Sequence, residues 1–155
     1  MHGVPPPAGF EVTPHLVHEA SGFRAWLTEP PGVLTQVTTQ VRADEAMARF
    51  LSTTVSKAVL GQPREHGQRL VFFHDWRRLE GYAPQARKVL TDWGISIRDD
   101  IERVVVALRP ESSPLVKMGI SVASVGLRLA GVRLQVVESV EDELRKLRLR
   151  PRRDV

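Results

Sequence analysis

One short apolar run constrains the fold of this chain more than any other feature. Leu70–Phe73 contains no polar residue, follows the loop around Gly67, and ends on the polar stretch His74–Trp76. A short apolar run of this kind is typical of a strand buried on both faces, in the middle of a sheet that is covered by helices. The sequence therefore predicts a central strand over residues 69–76, with other elements packed on both sides of it.

Strand-like segments precede this run. His15–Ala20 and Phe23–Thr28 flank Ser21-Gly22, a dipeptide suited to a tight hairpin turn. Val33–Val41 alternates β-branched residues with a period of two, which indicates a half-buried strand. The first third of the chain is therefore predicted to be an antiparallel meander.

After residue 42 the apolar period changes to about 3.6, and helices alternate with strands. Start signals such as Ser113-Pro114 and stop signals such as Gly61 bound these segments. The predicted order is a helix over 43–60, the central strand, a helix over 84–97, a strand over 104–108, a helix over 114–130, a strand over 132–137 and a helix over 140–147.

The third of these helices is the most apolar. It carries Gly119, Ala123, Gly126 and Ala130 at spacings of three and four, which would let a sheet or another helix approach closely. Because it is apolar almost all round, we expect it to be buried within this domain or against a partner. A homodimer is one hypothesis that follows.

These elements predict an α/β fold with a mixed sheet of about five to six strands. The antiparallel meander comes first, and alternating helices and mainly parallel strands follow it. We divide the chain into a proline-rich flexible leader over 1–12, a single domain over 13–149 and a basic tail over 150–155. The leader is expected to have nothing to pack against.

Composition excludes several classes of site. The 155 residues include no cysteine, which rules out disulfides, thiolate zinc sites and cysteine nucleophiles. The longest weakly charged run, Pro114–Leu127, is shorter than the roughly 20 residues that span a bilayer. The N-terminus lacks the pattern of a signal peptide, so a cytoplasmic location is expected.

The net charge of +4 comes from the C-terminus. Residues 146–155 hold five basic residues and one acid, so the rest of the chain is neutral. The tail has no interleaved aromatic residues for base stacking, and nucleic-acid binding is not expected.

His74 and Asp75 are the most suggestive polar pair, because the carboxyl end of a central strand is a common place for ligands and catalytic groups. An acid–base pair of a hydrolase is one interpretation. The structural alternative is that Asp75 caps a turn or pairs with Arg77 or Arg78. We favour the structural alternative and predict no catalytic residue.

Metal and cofactor sites are not expected either. His15 and His18 are close in sequence, but residues three apart on a strand point to opposite faces, and His66 stands alone. Gly119–Gly126 lies inside a predicted helix rather than after a strand, so it is not a phosphate-binding loop. Ser113 is expected to be a helix cap, and no phosphorylation site is identified.

Four stretches resemble a known family. Phe72–Trp76, Gly81–Arg87, Leu90–Trp93 and Leu115–Ala123 are similar to bacterial proteins described as SpoIIAA-like, a group related to both STAS and CRAL-TRIO domains. The element order also resembles that of STAS domains, the fold of anti-sigma-factor antagonists. The resemblance covers about residues 23–137.

The resemblance implies a non-enzymatic, regulatory protein–protein interaction domain. STAS relatives often bind a protein partner through the loop after the central strand and the helix that follows it. On this chain, that correspondence gives a candidate partner-binding set of His74, Asp75, Trp76, Arg77, Arg78 and Tyr82. The phosphorylatable antagonists carry a serine at the start of that helix, whereas residues 74–82 contain no serine or threonine. CRAL-TRIO relatives bind lipids, so the alternative function is a small-molecule or lipid carrier with an apolar pocket beside the third helix.

Overall fold

The central strand predicted from the apolar run is present. The structure is a computed structural model that describes residues 4–39 and 41–153. In it, β5 (Leu70–Asp75) is buried at every position and pairs in parallel with β3 (Gly32–Gln36) and β7 (Ile101–Ala107). β5 therefore lies in the middle of the sheet, with both of its faces covered.

The main sheet is mixed, as the sequence predicts. Its strand order is β1-β2-β3-β5-β7-β8, and β9 pairs with β2. Pairing is antiparallel among β1, β2, β3 and β9 and parallel from β3 to β8. The remaining bounds are Leu16–His18 for β1, Phe23–Glu29 for β2, Leu134–Val137 for β8 and Arg150–Pro151 for β9.

The single strand predicted over residues 33–41 is wrong. The chain leaves the main sheet after Gln36, and Thr38 donates a hydrogen bond from Oγ1 to the Gly22 carbonyl at 2.6 Å. Val41–Ala43 then forms β4, which pairs in parallel with β6 (Leu79–Tyr82) in a separate two-stranded sheet. Part of the predicted loop over 74–82 is therefore a strand, because a distant segment supplies its backbone partners.

Helices cover both faces of the sheet. On one face, the first predicted helix consists of α1 (Glu45–Arg49), a π-helical segment (Phe50–Val55) and α2 (Ser56–Leu60). The same face carries α3 (Pro84–Ser96) and α4 (Pro114–Leu129), the predicted third helix. A short 3₁₀ turn, Arg98–Asp100, precedes β7, and α5 (Val140–Leu147) covers the opposite face.

The start of α4 confirms the predicted signal. Ser113 accepts a hydrogen bond at Oγ from the Val116 backbone N–H at 3.3 Å, and Pro114 is the first helical residue. Gly131 follows the helix with a φ of 88°, a conformation that glycine adopts without steric cost. The sequence signals therefore fix both ends of this helix.

The described parts of both terminal segments pack against the sheet. Phe10, in the predicted flexible leader over 1–12, is 1% exposed and packs edge-on against Trp26, with ring centroids 5.8 Å apart. In the tail over 150–155, β9 belongs to the sheet and the Arg152 N–H donates to the Leu27 carbonyl at 2.8 Å. The expectation that the proline-rich leader has nothing to pack against is wrong for its described part, because Pro7 and Phe10 are buried.

Candidate functional site

The end of β5 sends its polar side chains to opposite sides of the sheet. Phe72, His74 and Trp76 face the side covered by α3 and α4, whereas Asp75 faces the side of the N-terminal leader. This follows from the period of two along a strand. His74 and Asp75 are therefore separated by the sheet itself, and the acid–base pair considered from the sequence does not form.

Asp75 belongs to a structural network. Arg77 donates to its carboxylate from Nε at 2.8 Å and from a terminal nitrogen at 3.0 Å, and Gln36 donates from Nε2 at 3.2 Å. Gln36 also donates to the Pro5 carbonyl and accepts from Arg24 Nε. The hydrogen bonds to Asp75 raise the pKa of Arg77. The pairing with Arg77 confirms the structural alternative for Asp75, and the network anchors the leader to the sheet.

His74 is a neutral, fully buried group. Burial in apolar surroundings lowers its pKa to about 3, since desolvation penalises the charged imidazolium. Its Nδ1 lies 2.6 Å from the hydroxyl of Thr35, on the adjacent strand, and its ring stacks on Trp76 with centroids 4.8 Å apart. At neutral pH, His74 therefore carries no charge and is fixed in place by its neighbours.

A small apolar cavity lies beside these rings, between the sheet and the helices. Its volume is about 90 Å³, and Phe72, His74, Trp76, Tyr82, Trp93 and Leu127 are among its lining residues. Small-molecule sites usually measure about 300–1,000 Å³. The cavity is therefore too small to enclose a lipid.

The six candidate partner-binding residues do not form one surface. His74 and Asp75 are each 3% exposed and Trp76 is 7% exposed, so these three are interior residues. Arg78 is exposed, and Arg77 and Tyr82 are half-buried. Of the candidate set, only Arg77, Arg78 and Tyr82 can contact a partner directly.

Two of the histidines considered as metal ligands, His15 and His18, form hydrogen bonds within the protein. His15 lies near the C-terminal segment, with Nε2 3.1 Å from the Arg152 carbonyl and Nδ1 accepting from the Leu27 N–H at 2.9 Å. His18 Nδ1 lies 2.7 Å from the Ser21 hydroxyl. Among residues 4–39 and 41–153, no three histidines, aspartates or glutamates come together as a metal site would require.

The most unusual surface lies on the predicted third helix, outside the candidate partner-binding set. Five apolar side chains of α4 point into solvent and are between 49% and 85% exposed. They are Leu115, Met118, Val122, Val125 and Leu129, which we call the α4 stripe. Their spacing of three and four was visible in the sequence, but it could not be assigned to the outer side until the inner contacts of the helix were known.

The inner contacts of α4 are made by small residues and by the larger Val116, Ile120 and Leu127. Val116 and Leu127 are buried against the sheet side, and Gly119 and Gly126 face Tyr82 and Thr91. A methyl group on Gly119 would come within 2.4 Å of the Tyr82 ring. The glycines thus seat α4 closely against its neighbours, which leaves the larger apolar side chains on the outside.

The charge around the stripe is sparse. Between Pro114 and Leu129 the only charged residues are Lys117 and Arg128, both exposed, and no acid is present. Within the described residues, no helix is long and apolar enough to cross a membrane. The α4 stripe is therefore an exposed apolar surface with only two charged residues on its helix.

Comparison with known proteins identifies the fold. No family model and no curated protein sequence matches the chain. A solved structure of an uncharacterised protein from Shewanella loihica PV-4, of the DUF3478 family with a SpoIIAA-like fold, superposes with a TM-score of 0.54. The two share 15% sequence identity over 75% of this chain and 83% of that one. The chain has a SpoIIAA-like fold, as its sequence motifs predicted.

Proposed function

We propose that this protein is a non-catalytic, STAS-like interaction module that binds a protein partner through the α4 stripe. The proposal includes a regulatory role in the bacterial cytoplasm. Arg78, in the turn before β6, and Tyr82, which ends β6 and packs under Gly119, are proposed as contributors to the same surface. The SpoIIAA-like fold supports this class of function by analogy.

The exposure of the α4 stripe carries the proposal. A contiguous exposed apolar patch larger than a few hundred Å² is uncommon on a monomeric protein and often marks an interaction site. From the exposed fractions of its five side chains, the stripe presents roughly 500 Å² of surface. The inner side of α4 already packs on the domain, so the fold does not require apolar residues on its outer side.

The surroundings of His74 and Asp75 support a non-catalytic role. Asp75 is held by Arg77 and Gln36, and His74 lies on the other side of the sheet, next to Thr35. A general base must reach the proton that it abstracts and be oriented by its neighbours toward it. Here the two polar groups at the end of the central strand are instead fixed by partners that hold the fold together.

Site-specific photo-crosslinking in the host cell tests the docking surface. A photoreactive amino acid at Val122 is expected to give discrete crosslinked products, whereas the same group at Lys88, exposed on the outer side of α3, is not. The products should disappear when Met118→Glu is added, because a charge in the stripe opposes burial. Equal products from both positions, or none from Val122, would contradict the proposal.

One observation favours the carrier as a second candidate. Trp76 lines the apolar cavity, is 7% exposed, and has no acceptor for its indole N–H among the described residues. The cavity volume of about 90 Å³ limits a ligand to a few heavy atoms, with one acceptor for that N–H. In native mass spectrometry of protein from its own host, a bound small molecule lost on Trp76→Phe substitution would support it. Bare protein would count against it.

A further inference from the structure

We infer that the partner of the α4 stripe is a second copy of this chain, bound with the two α4 helices antiparallel about a two-fold axis between Val122 and Val125. This inference rests on the proposed function, because it names the occupant of the same surface.

The spacing of the stripe is self-complementary. Its residues follow one another at intervals of three, four, three and four, which is the heptad spacing of helices that pack side by side. Leu115, Val122 and Leu129 occupy the a positions of the heptad, and Met118 and Val125 occupy the d positions. In an antiparallel pair of such helices, each a residue lies opposite a d residue of the second helix. Val122 then faces Val125 of the second copy, and Met118 faces Leu129, the most exposed member at 85%.

The chemistry of the stripe favours a protein surface over a membrane. It consists of leucine, methionine and valine and contains no tryptophan or tyrosine, the residues that anchor helices at a membrane interface. Only Lys117 and Arg128 of α4 are charged, whereas interfacial helices usually carry a strongly charged polar face. The side chains resemble those of a helix–helix seam.

The charge beside the stripe is compatible with an antiparallel contact between two copies. On one side lie Ser121 and Arg128, and in the antiparallel arrangement each faces the other across the contact, so no like charges meet. On the other side, the stripe borders Gly119 and Gly126, which are covered by Tyr82 and Thr91 of the same chain.

The area is sufficient for a specific but modest interface. Two stripes of roughly 500 Å² would bury about 1,000 Å² together, which is near the lower limit for biological interfaces. An isologous contact of this kind is the commonest way for a chain to form a dimer. We therefore expect an equilibrium between monomer and dimer that responds to concentration.

Analytical ultracentrifugation tests the association. The wild-type chain is expected to approach twice its mass of 17.4 kDa between low micromolar and near-millimolar concentration. The Val122→Glu variant should remain monomeric, because dimer formation would bury an unpaired charge against Val125. The Gln85→Glu variant, which adds the same charge at an exposed site of α3, should behave as wild type. Val122→Ser, a smaller change, should weaken the dimer without adding a charge, and it replaces Val122→Glu if that variant fails to fold.

Cysteine crosslinking tests the orientation. The sequence contains no cysteine, so any disulfide formed by single-cysteine variants must join two copies. A mixture of Met118→Cys and Leu129→Cys is expected to give a covalent heterodimer. In a parallel pair these positions would be about 16 Å apart along the helix axis, and Met118→Cys would couple to itself instead.

Three results would overturn the inference. The first is a wild-type chain that is monomeric throughout, and the second is dimers that are unaffected by Val122→Glu and Val122→Ser. The third is a monomer that co-sediments with vesicles of anionic phospholipid through the stripe, which would assign the surface to a membrane. If photo-crosslinks from Val122 join a different protein while the chain stays monomeric, the proposed function survives and the inference about its partner fails.

Discussion

Helices α3 and α4 lie side by side on the same face of the sheet but present different outer surfaces. The outer side of α3 carries Gln85, Lys88 and Asp92, and Lys88 pairs with Asp92 at 2.7 Å. The outer side of α4 carries the stripe, with Met118 and Val122 about half exposed. Both helices bury their inner sides in the same core, so the difference concerns only the surface that faces away from the protein.

This difference separates what the fold requires from what it does not. An exposed lysine–aspartate pair four residues apart supports its own helix by a few tenths of a kcal/mol and keeps the surface soluble. Exposed valine and leucine side chains contribute no comparable stabilisation until another surface removes them from water. The outer side of α3 is therefore that of an ordinary surface helix, whereas the outer side of α4 is apolar without a structural reason within this fold.

The largest expected effect lies where the two helices meet. Leu127 of α4 is buried and lies against Gly94 of α3, where an added methyl group would approach it within 2.8 Å. Leu127→Ala should lower the free energy of unfolding by about 2–5 kcal/mol, because it leaves a cavity between the helices. Urea denaturation measures this, with exposed Leu129→Ala as the matched control. Equal losses at both positions would show that the inner and outer sides of α4 are not distinct.

The second effect concerns the sheet surface beneath both helices, where His74 is kept neutral. Because its pKa in the folded protein is about 3 and the unfolded value is near 6.5, the unfolded chain binds a proton that the folded chain does not. Stability should therefore be full above pH 6.5 and fall by about 1.4 kcal/mol per pH unit below it. The His74→Gln variant should be less stable at neutral pH. Its free energy of unfolding should fall less steeply as the pH decreases, because the proton uptake by His74 in the unfolded chain is absent. Parallel stability–pH curves for the two proteins, measured by denaturation, would contradict the assignment.

A smaller effect tests the fit between α3 and α4. Gly94→Ala should cost about 1–3 kcal/mol in the wild-type chain, since its methyl group would press on Leu127. With Leu127→Ala present, the same change should become neutral or stabilising by up to about 1 kcal/mol, because alanine favours the helix. A double-mutant cycle in urea measures the coupling. Additive effects would mean that the helices are not in contact at this point.

The smallest effect on stability is expected on the outer surfaces. Val125→Glu on α4 and Lys88→Glu on α3 should each change the free energy of unfolding of the monomer by less than about 0.5 kcal/mol, since neither position is buried. Only the α4 change should abolish self-association. Thermal unfolding at low concentration, together with sedimentation at high concentration, separates the two properties. A large loss of monomer stability from Val125→Glu would show that the stripe serves the fold.

Much of the architecture was predictable because its signals are local. The apolar run of β5, the Ser113-Pro114 start of α4 and the helix–strand alternation each depend on neighbours in sequence. The break after Gln36 and the pairing of β4 with β6 were not predictable, since they depend on partners nearly 40 residues away. The packing of Phe10 on Trp26 was missed because it also joins residues that are not neighbours in sequence.

The candidate site was predicted less well than the fold. The loop after β5 was chosen by resemblance, yet the period of two along a strand already implied that His74 and Asp75 point in opposite directions. The apolar character of the third helix predicted burial within the domain or against a partner, and its small residues do face neighbours, as at Gly119 and Tyr82. Which of its large side chains point outward depends on the tertiary packing of α4 and could not be read from the periodicity alone.

The most direct test of the account is a methyl NMR spectrum recorded over a range of protein concentration. We predict that the methyl signals of Val122, Val125 and Leu129 shift as the concentration rises, while those of Val89 and Leu90 on α3 stay in place. That result would show a contact confined to the α4 stripe. Stripe signals that do not respond, or α3 signals that shift equally, would contradict the claim that α4 is the surface on which this protein binds its second copy.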